Sequence, residues 1–169
     1  SGVPVTTARK RLRELFEHSE DERDQLRALW TLFVIGDFEQ ADLIRLLRHP
    51  SQHVRRWGVR FLVDRSAPGP VALSAMVRTA GRDASAKVRL ALASALQKLP
   101  LEDRWELAAS LMAHAGDSLD NYLPLMVWYG VEPLVAADRG RALSLVLRAE
   151  IPLLRRFMVR RALDVDVPP

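Results

Sequence analysis

The arginines carry the most suggestive chemistry in this sequence. Arg56 with Arg60, and Arg156 with Arg160, are spaced i, i+4, so on a helix each pair lies on one face. Guanidinium groups presented side by side can bind phosphates, an anionic membrane surface or the carboxylates of a protein. Arg55, Arg89 and Arg155 recur at matching points of three related phrases, "VRRWGVR" at 54–60, "VRLALAS" at 88–94 and "LRRFMVR" at 154–160. A charge that returns at a repeated position has a structural role open to it. It can form an inter-repeat ladder, each arginine bridging Asp, Glu or carbonyl groups of the next unit.

A second candidate is "DNYLPLMVWYGVEP", residues 120–133, which opens on a helix-capping pair. At ~100° per residue, Leu123, Val127, Gly130 and Leu134 form one apolar stripe, and Gly130 permits close approach of a neighbouring helix. Asn121, Leu125, Trp128 and Glu132 fall on the opposite side. Glu132 precedes Pro133, which disfavours regular helix there and takes the usual donor from the Tyr129 carbonyl. Two roles remain open. Trp128 and Glu132 can form a docking surface close to Arg156 or Arg160, or Trp128 can fill the gap to an adjacent repeat while Glu132 pairs with a repeat arginine. The candidate partner-binding residues are therefore Asn121, Trp128, Glu132, Arg56, Arg60, Arg156 and Arg160.

Other chemistries lack their residues or their spacing. His18, His49, His53 and His114 form no paired metal motif, and His49 and His53 straddle Pro50. Ser51, Ser85, Ser94, Ser110 and Ser144 stand in no nucleophile elbow, and the glycines form no phosphate-binding loop. Cysteine is absent, which excludes disulfides, thiolate zinc sites and c-type haem attachment within this segment. The expectation is no catalytic residue, no metal and no cofactor.

These side chains must be positioned by helices. The 169 residues are 49% hydrophobic and 27% charged, a balance suited to one globular domain. Leu, Ala and Arg dominate and β-branched runs are scarce. Periodicity predicts an N-terminal leading helix near 6–18, then helices at 21–35, 39–48, 51–65, 70–80, 85–98, 101–114, 120–136, 138–148 and 151–163. Gly and Pro residues fall at the joints. Leu26, Val54, Val88, Leu123 and Leu154 begin related phrases 28, 34, 35 and 31 residues apart. That spacing, with two helices per unit, predicts an all-α fold: a HEAT-like α-solenoid, a right-handed superhelix of about five helix pairs plus the leading helix. Asp83, five residues before Val88-Arg89, resembles the Asp…Val-Arg signature of HEAT repeats. The seam between pairs is predicted to hold Leu29, Leu32, Leu43, Leu46, Leu47, Leu62, Met76, Leu92, Leu96, Leu107 and Leu111.

The phrase "DNYLPLMVWYGVEPLV…D…RAL", followed by "IPLLRRFMVRRAL", resembles the HEAT-repeat region of large membrane-bound dehydrogenases of planctomycete and verrucomicrobial bacteria. The likeness is strongest over 83–163. It implies that residues 1–169 are a single HEAT-like repeat domain from a larger exported protein. In such proteins a propeller-like sugar-dehydrogenase domain precedes the repeats and a haem-binding CxxCH cytochrome domain commonly follows. This chain has no CxxCH and no propeller pattern, so any redox chemistry would belong to other parts, and the repeats would act as spacer or docking platform.

The net charge of +4 is modest. It could assist an acidic partner but argues little for nucleic acid by itself. No apolar run reaches the ~20 residues of a membrane span, and the opening "SGVPVTT" lacks the regions of a signal peptide. The sequence therefore predicts a noncatalytic scaffold contacting other domains of the parent chain or another protein, without direct membrane insertion. The alternative is a basic HEAT-like solenoid that binds nucleic acid, with or without DNA-glycosylase-like base removal.

Overall fold

The computed structural model describes residues 5–164. They form ten α-helices: α1 Val5–His18, α2 Glu22–Val34, α3 Gln40–Leu46, α4 Gln52–Leu62, α5 Pro70–Arg82, α6 Ala86–Leu96, α7 Leu101–Met112, α8 Leu123–Ala137, α9 Arg139–Arg148 and α10 Pro152–Asp164. A short 3-10 turn, Ala115–Leu119, lies between α7 and α8, and no strand occurs among the described residues. The protein is all-α.

The local chemistry explains where helices begin. Asp21, Ser51 and Asp138 each accept the first free backbone N–H groups of α2, α4 and α9 through their side chains. Asp120 accepts from the N–H of Tyr122 and of Leu123, both at 2.8 Å, and so opens α8. Pro70 starts α5 and Pro124 lies in the first turn of α8, where a missing N–H costs nothing. Gly36, at φ 73°, supplies the left-handed residue just after α2.

Helices pair in sequence, α1 with α2, α3 with α4, α5 with α6, α7 with α8 and α9 with α10. Each even-numbered helix also touches the next even-numbered one, and α3, α5, α7 and α9 touch in the same way. The result is two rows of helices with one apolar core between them. The arginine-bearing α4, α6 and α10 share a row with α2 and α8. The N-terminal helix is a member of the first pair rather than an addition to five pairs.

Every residue expected in the seam, from Leu29 to Leu111, is buried. Gly130 permits the predicted close approach: a Cβ there would lie 2.5 Å from the Cβ of Leu96 on α6. Pro133 does not end α8, which runs on to Ala137. The Arg104 guanidinium, from α7, donates to the Gly130 carbonyl at 3.1 Å in the turn before the proline.

Candidate functional site

The seam between successive pairs is built on one register. Val54, Val88, Leu123 and Leu154 are all fully buried at the start of α4, α6, α8 and α10. The next residue is Arg55, Arg89, Pro124 or Arg155, here termed the ladder position. In α2 the corresponding residue is Gln25, four residues after the N-cap Asp21 as Arg55 and Arg89 are after Ser51 and Ser85. Leu26 is therefore not the counterpart of Val54 that phrase spacing suggested; Asp24 occupies that place.

Two rungs of the ladder are closed by ion pairs. The Arg55 Nε and Nη2 donate to both Asp83 oxygens, at 2.6 and 2.9 Å. Arg89 grips Asp117 in the same two-point fashion, at 2.7 and 2.5 Å. In each case the carboxylate lies 28 residues ahead, in the turn between the next two helices. Each arginine also reaches back six residues to a carbonyl, His49 for Arg55 and Asp83 for Arg89. Arg155 reaches the carbonyl six residues behind it, on Ala149, but its nearest carboxylate is exposed Glu150 at 3.7 Å. Hydroxyls add a parallel link: Ser51 donates to Glu22 at 2.5 Å and Ser85 to Gln52 at 2.6 Å, each tying one helix start to the next.

Burial gives these rungs their character. The Asp117 side chain is 3% exposed and that of Arg89 10%. The hydrogen bonds that Arg89 donates to Asp117, opposed by burial, raise its affinity for its proton, and those to Asp83 do the same for Arg55. Burial alone would raise the Asp83 carboxyl. The Arg55 hydrogen bonds, the Ser85 N–H and the nearby arginine charges outweigh it and hold the group below its ordinary value. Arg55 and Arg89 thus bridge one helix pair to the turn of the next.

The 120–133 stretch closes the next seam by other means. Leu123, Val127, Gly130 and Leu134 form the buried stripe as the periodicity predicted. Trp128, half-buried, packs against Phe157 of α10 with ring centroids 5.3 Å apart. Glu132 accepts from Arg161 Nε at 2.6 Å, so the partner is Arg161 and not Arg156 or Arg160. Asn121 lies ahead of the first turn of α8 and is exposed, so it does not share a helical face with Trp128 and Glu132. Trp128 and Glu132 join the last two pairs rather than stand free.

The arginine pairs part company. Arg60 lies over the Trp57 ring at 4.8 Å, and burial, then the nearby Arg56 charge, lower its affinity for a proton. Arg56 is partly buried, and its Nε is a buried nitrogen without a hydrogen-bond partner. Arg156 lies 5.9 Å over Phe157, and Arg156 and Arg160 are exposed along an open groove on α10. The histidines stay separate: His49 accepts from the Ser51 N–H and stacks on Phe16, while His114 meets the Ala80 carbonyl at 2.6 Å. Burial, then the Arg55 charge, lower the pKa of His49.

Three features lay outside the sequence-predicted set. Tyr122, Leu125 and Tyr129 are exposed along the outward side of α8. Trp30 and Trp57, distant in sequence, meet edge to face at 5.2 Å, with Arg60 over Trp57. Arg48, Arg78 and Arg82 line a cleft of about 500 Å³ beside the Arg55–Asp83 pair, where α3 meets α5. The stripe on α8 was readable from its i, i+3, i+7 spacing; the other two needed the adjacency of helices.

No protein family, curated protein or solved structure matches this chain. Among the described residues no helix is long and apolar enough to cross a membrane.

Proposed function

We propose that the chain is a HEAT-like α-solenoid of right-handed superhelical sense that serves as a noncatalytic scaffold for protein–protein or interdomain contacts. Support for the repeat architecture is the recurrence of one seam, with an arginine, a carbonyl six residues back and a carboxylate 28 residues ahead. The observation that carries the contact role is the outward side of α8. There Tyr122 is 71% exposed, Leu125 38% and Tyr129 58%, while Leu123, Val127 and Leu134 behind them are fully buried. Large aromatics held outward by a rigid helix are what contact hot spots use.

The resemblance of the 120–163 phrases to membrane-bound dehydrogenases suggests the setting: a larger exported redox protein whose propeller or cytochrome domain rests on these helices. Biolayer interferometry between this domain and the rest of the parent polypeptide tests the contact role. Replacing Leu125 and Tyr129 together by Ser is expected to weaken binding at least about tenfold, roughly 1.4 kcal/mol, with the melting temperature kept. Unchanged affinity would remove the reading.

The second reading, nucleic-acid binding, draws on the partly exposed Trp30 beside Trp57 with Arg60 above. Stacking surfaces next to cations suit single strands. Fluorescence anisotropy with labelled DNA and RNA decides it: submicromolar binding at physiological salt, lost with Trp30→Ala, would favour this reading over the scaffold.

A further inference from the structure

The cleft of about 500 Å³ where α3 meets α5 carries a charge that its own walls do not balance. Arg48, Arg55, Arg78 and Arg82 line it, with Asp83 as the one carboxylate. Asp83 is already held at two points by Arg55, whose Nη1 is taken up by the His49 and Pro50 carbonyls. Among the described residues, the guanidiniums of Arg48, Arg78 and Arg82 have no hydrogen-bond or ion-pair partner, and all three side chains are exposed. Arg78 and Arg82 are four apart on α5, a spacing at which like charges destabilise a helix. The cleft follows from a difference in length. α3 has seven residues against thirteen in α5, and the opening lies where α3 stops. Both helices belong to pairs with a neighbouring pair on either side, so this is not an end face of the stack.

We infer that this cleft is a binding site for a small organic phosphate, its phosphate monoester gripped by Arg48 from one side and by Arg78 and Arg82 from the other. Charge selects the ligand class. The C-terminal ends of α3 and α5 each contribute about half a negative charge, which together offset roughly one of the three unpaired arginines. The remainder matches a phosphate monoester, with about two negative charges and three acceptor oxygens. A single carboxylate brings one charge and two oxygens, too few for three guanidinium forks. Size selects a small molecule, since a cleft of about 500 Å³ falls within the ~300–1,000 Å³ of ligand pockets. Ile44, Leu47 and Ala75 give the walls an apolar part against which the organic body rests. The site lies apart from the contact surface on α8 and adds a ligand to the scaffold reading.

Isothermal titration calorimetry with ribose 5-phosphate at physiological salt is the test, with ribose and citrate as comparison ligands. Saturable one-to-one binding of the phosphate ester is expected, at least about tenfold tighter than citrate, and none of ribose. Arg48→Gln, and Arg78→Gln with Arg82→Gln, should each weaken it at least about tenfold. Arg78→Lys keeps the charge but loses the two-point fork, and should still weaken it. Arg23→Gln with Lys87→Gln removes two exposed charges elsewhere and should change the affinity less than about twofold. Because Arg78 and Arg82 hold no partner, their double variant should keep the melting temperature of the free protein. Absence of saturable binding, or equal weakening by the Arg23 and Lys87 variant, overturns the proposal. So does a fall in melting temperature with the Arg78 and Arg82 variant, which would give these side chains a structural task at the helix end. Phosphatidic acid vesicles or a DNA oligonucleotide that bind more tightly through the same arginines would assign the phosphate to a membrane or a nucleic acid instead. If the parent polypeptide carrying this domain fails to bind, further chain fills the cleft and the proposal falls. The scaffold reading is tested elsewhere, by the Leu125 and Tyr129 variant, so the two can fail independently.

Discussion

From α4 into the α5–α6 turn, and from α6 into the turn before α8, the seam is closed by arginine on aspartate, with carboxylates 4% and 3% exposed. From α8 into α10 it is closed by an indole against a phenyl ring and by Glu132 on Arg161, each about a third exposed. The difference begins with one residue. Where α4 and α6 carry Arg at the ladder position, α8 carries Pro124, which opens the helix well but has no side-chain donor. The joining contacts then move outward to Trp128 and Glu132. A buried two-point ion pair fixes register because any slip strands a charge, whereas a half-exposed aromatic pair tolerates small slides. The middle of the molecule is thus expected to be rigidly indexed and its C-terminal end more adaptable.

The sharpest way to break this contrast is Asp117→Ala. It strands the Arg89 guanidinium in a nearly closed site and should cost about 3–5 kcal/mol in urea denaturation. The double change Arg89→Met with Asp117→Leu should lose far less, since burying two apolar groups leaves no unpaired charge. A loss below ~1 kcal/mol for the single variant would mean that water reaches the rung. The Asp83 rung gives the matching test in pH. Its folded pKa is below the ordinary value of 3.8, so its contribution is complete above that value and is lost as pH falls through the lower folded one. The stability gap between wild type and Asp83→Asn should therefore narrow in that acid window.

Next in size is Gly130→Ala. The added methyl would lie 2.5 Å from the Leu96 Cβ, which neither helix backbone can relieve cheaply. Overpacking of this kind costs about 1–3 kcal/mol. Thermal unfolding should show the loss, and an unchanged melting temperature would mean that the α6–α8 spacing gives way freely.

What could be read from the sequence follows from the range over which its signals act. Helix spans, the Leu29-to-Leu111 seam and the close approach at Gly130 depend on spacing within one helix or on local caps, and all were legible. For Arg55 and Arg89 the repeated phrase offered the ladder as one of two roles, but not the partner, because Asp83 and Asp117 each lie 28 residues ahead. Arg161 was not chosen as the partner of Glu132, although the signal was present: Trp128 and Glu132 are four apart, as are Phe157 and Arg161. Such a match is recognised only once the two helices are known to be in register. The cleft of Arg48, Arg78 and Arg82 depends wholly on α3 lying beside α5, and the Trp30–Trp57 contact on α2 lying beside α4.

A smaller effect probes the outer seam itself. A double-mutant cycle of Trp128→Ala and Phe157→Ala should give a coupling of about 0.5–1.5 kcal/mol, as for aromatic pairs generally. Additive losses would show that the rings touch without holding the helices together.

The smallest effect expected is that of Glu132→Gln, and its salt dependence is the informative part. Glu132 and Arg161 lie 2.6 Å apart, but their side chains are 37% and 36% exposed. Water solvates both groups and ions screen them, so the pair is worth about 0–1 kcal/mol at low salt. At 1 M salt the screening length falls to ~3 Å and the difference between variant and wild type should vanish. The Asp117→Ala loss should persist at the same salt, because screening ions do not reach a carboxylate that is 3% exposed. Chemical denaturation in urea, which leaves ionic strength free to vary, separates the two cases. If Glu132→Gln cost as much as Asp117→Ala, and resisted salt equally, the last seam would be as rigidly indexed as the middle ones. The contrast between the two regions would then fall.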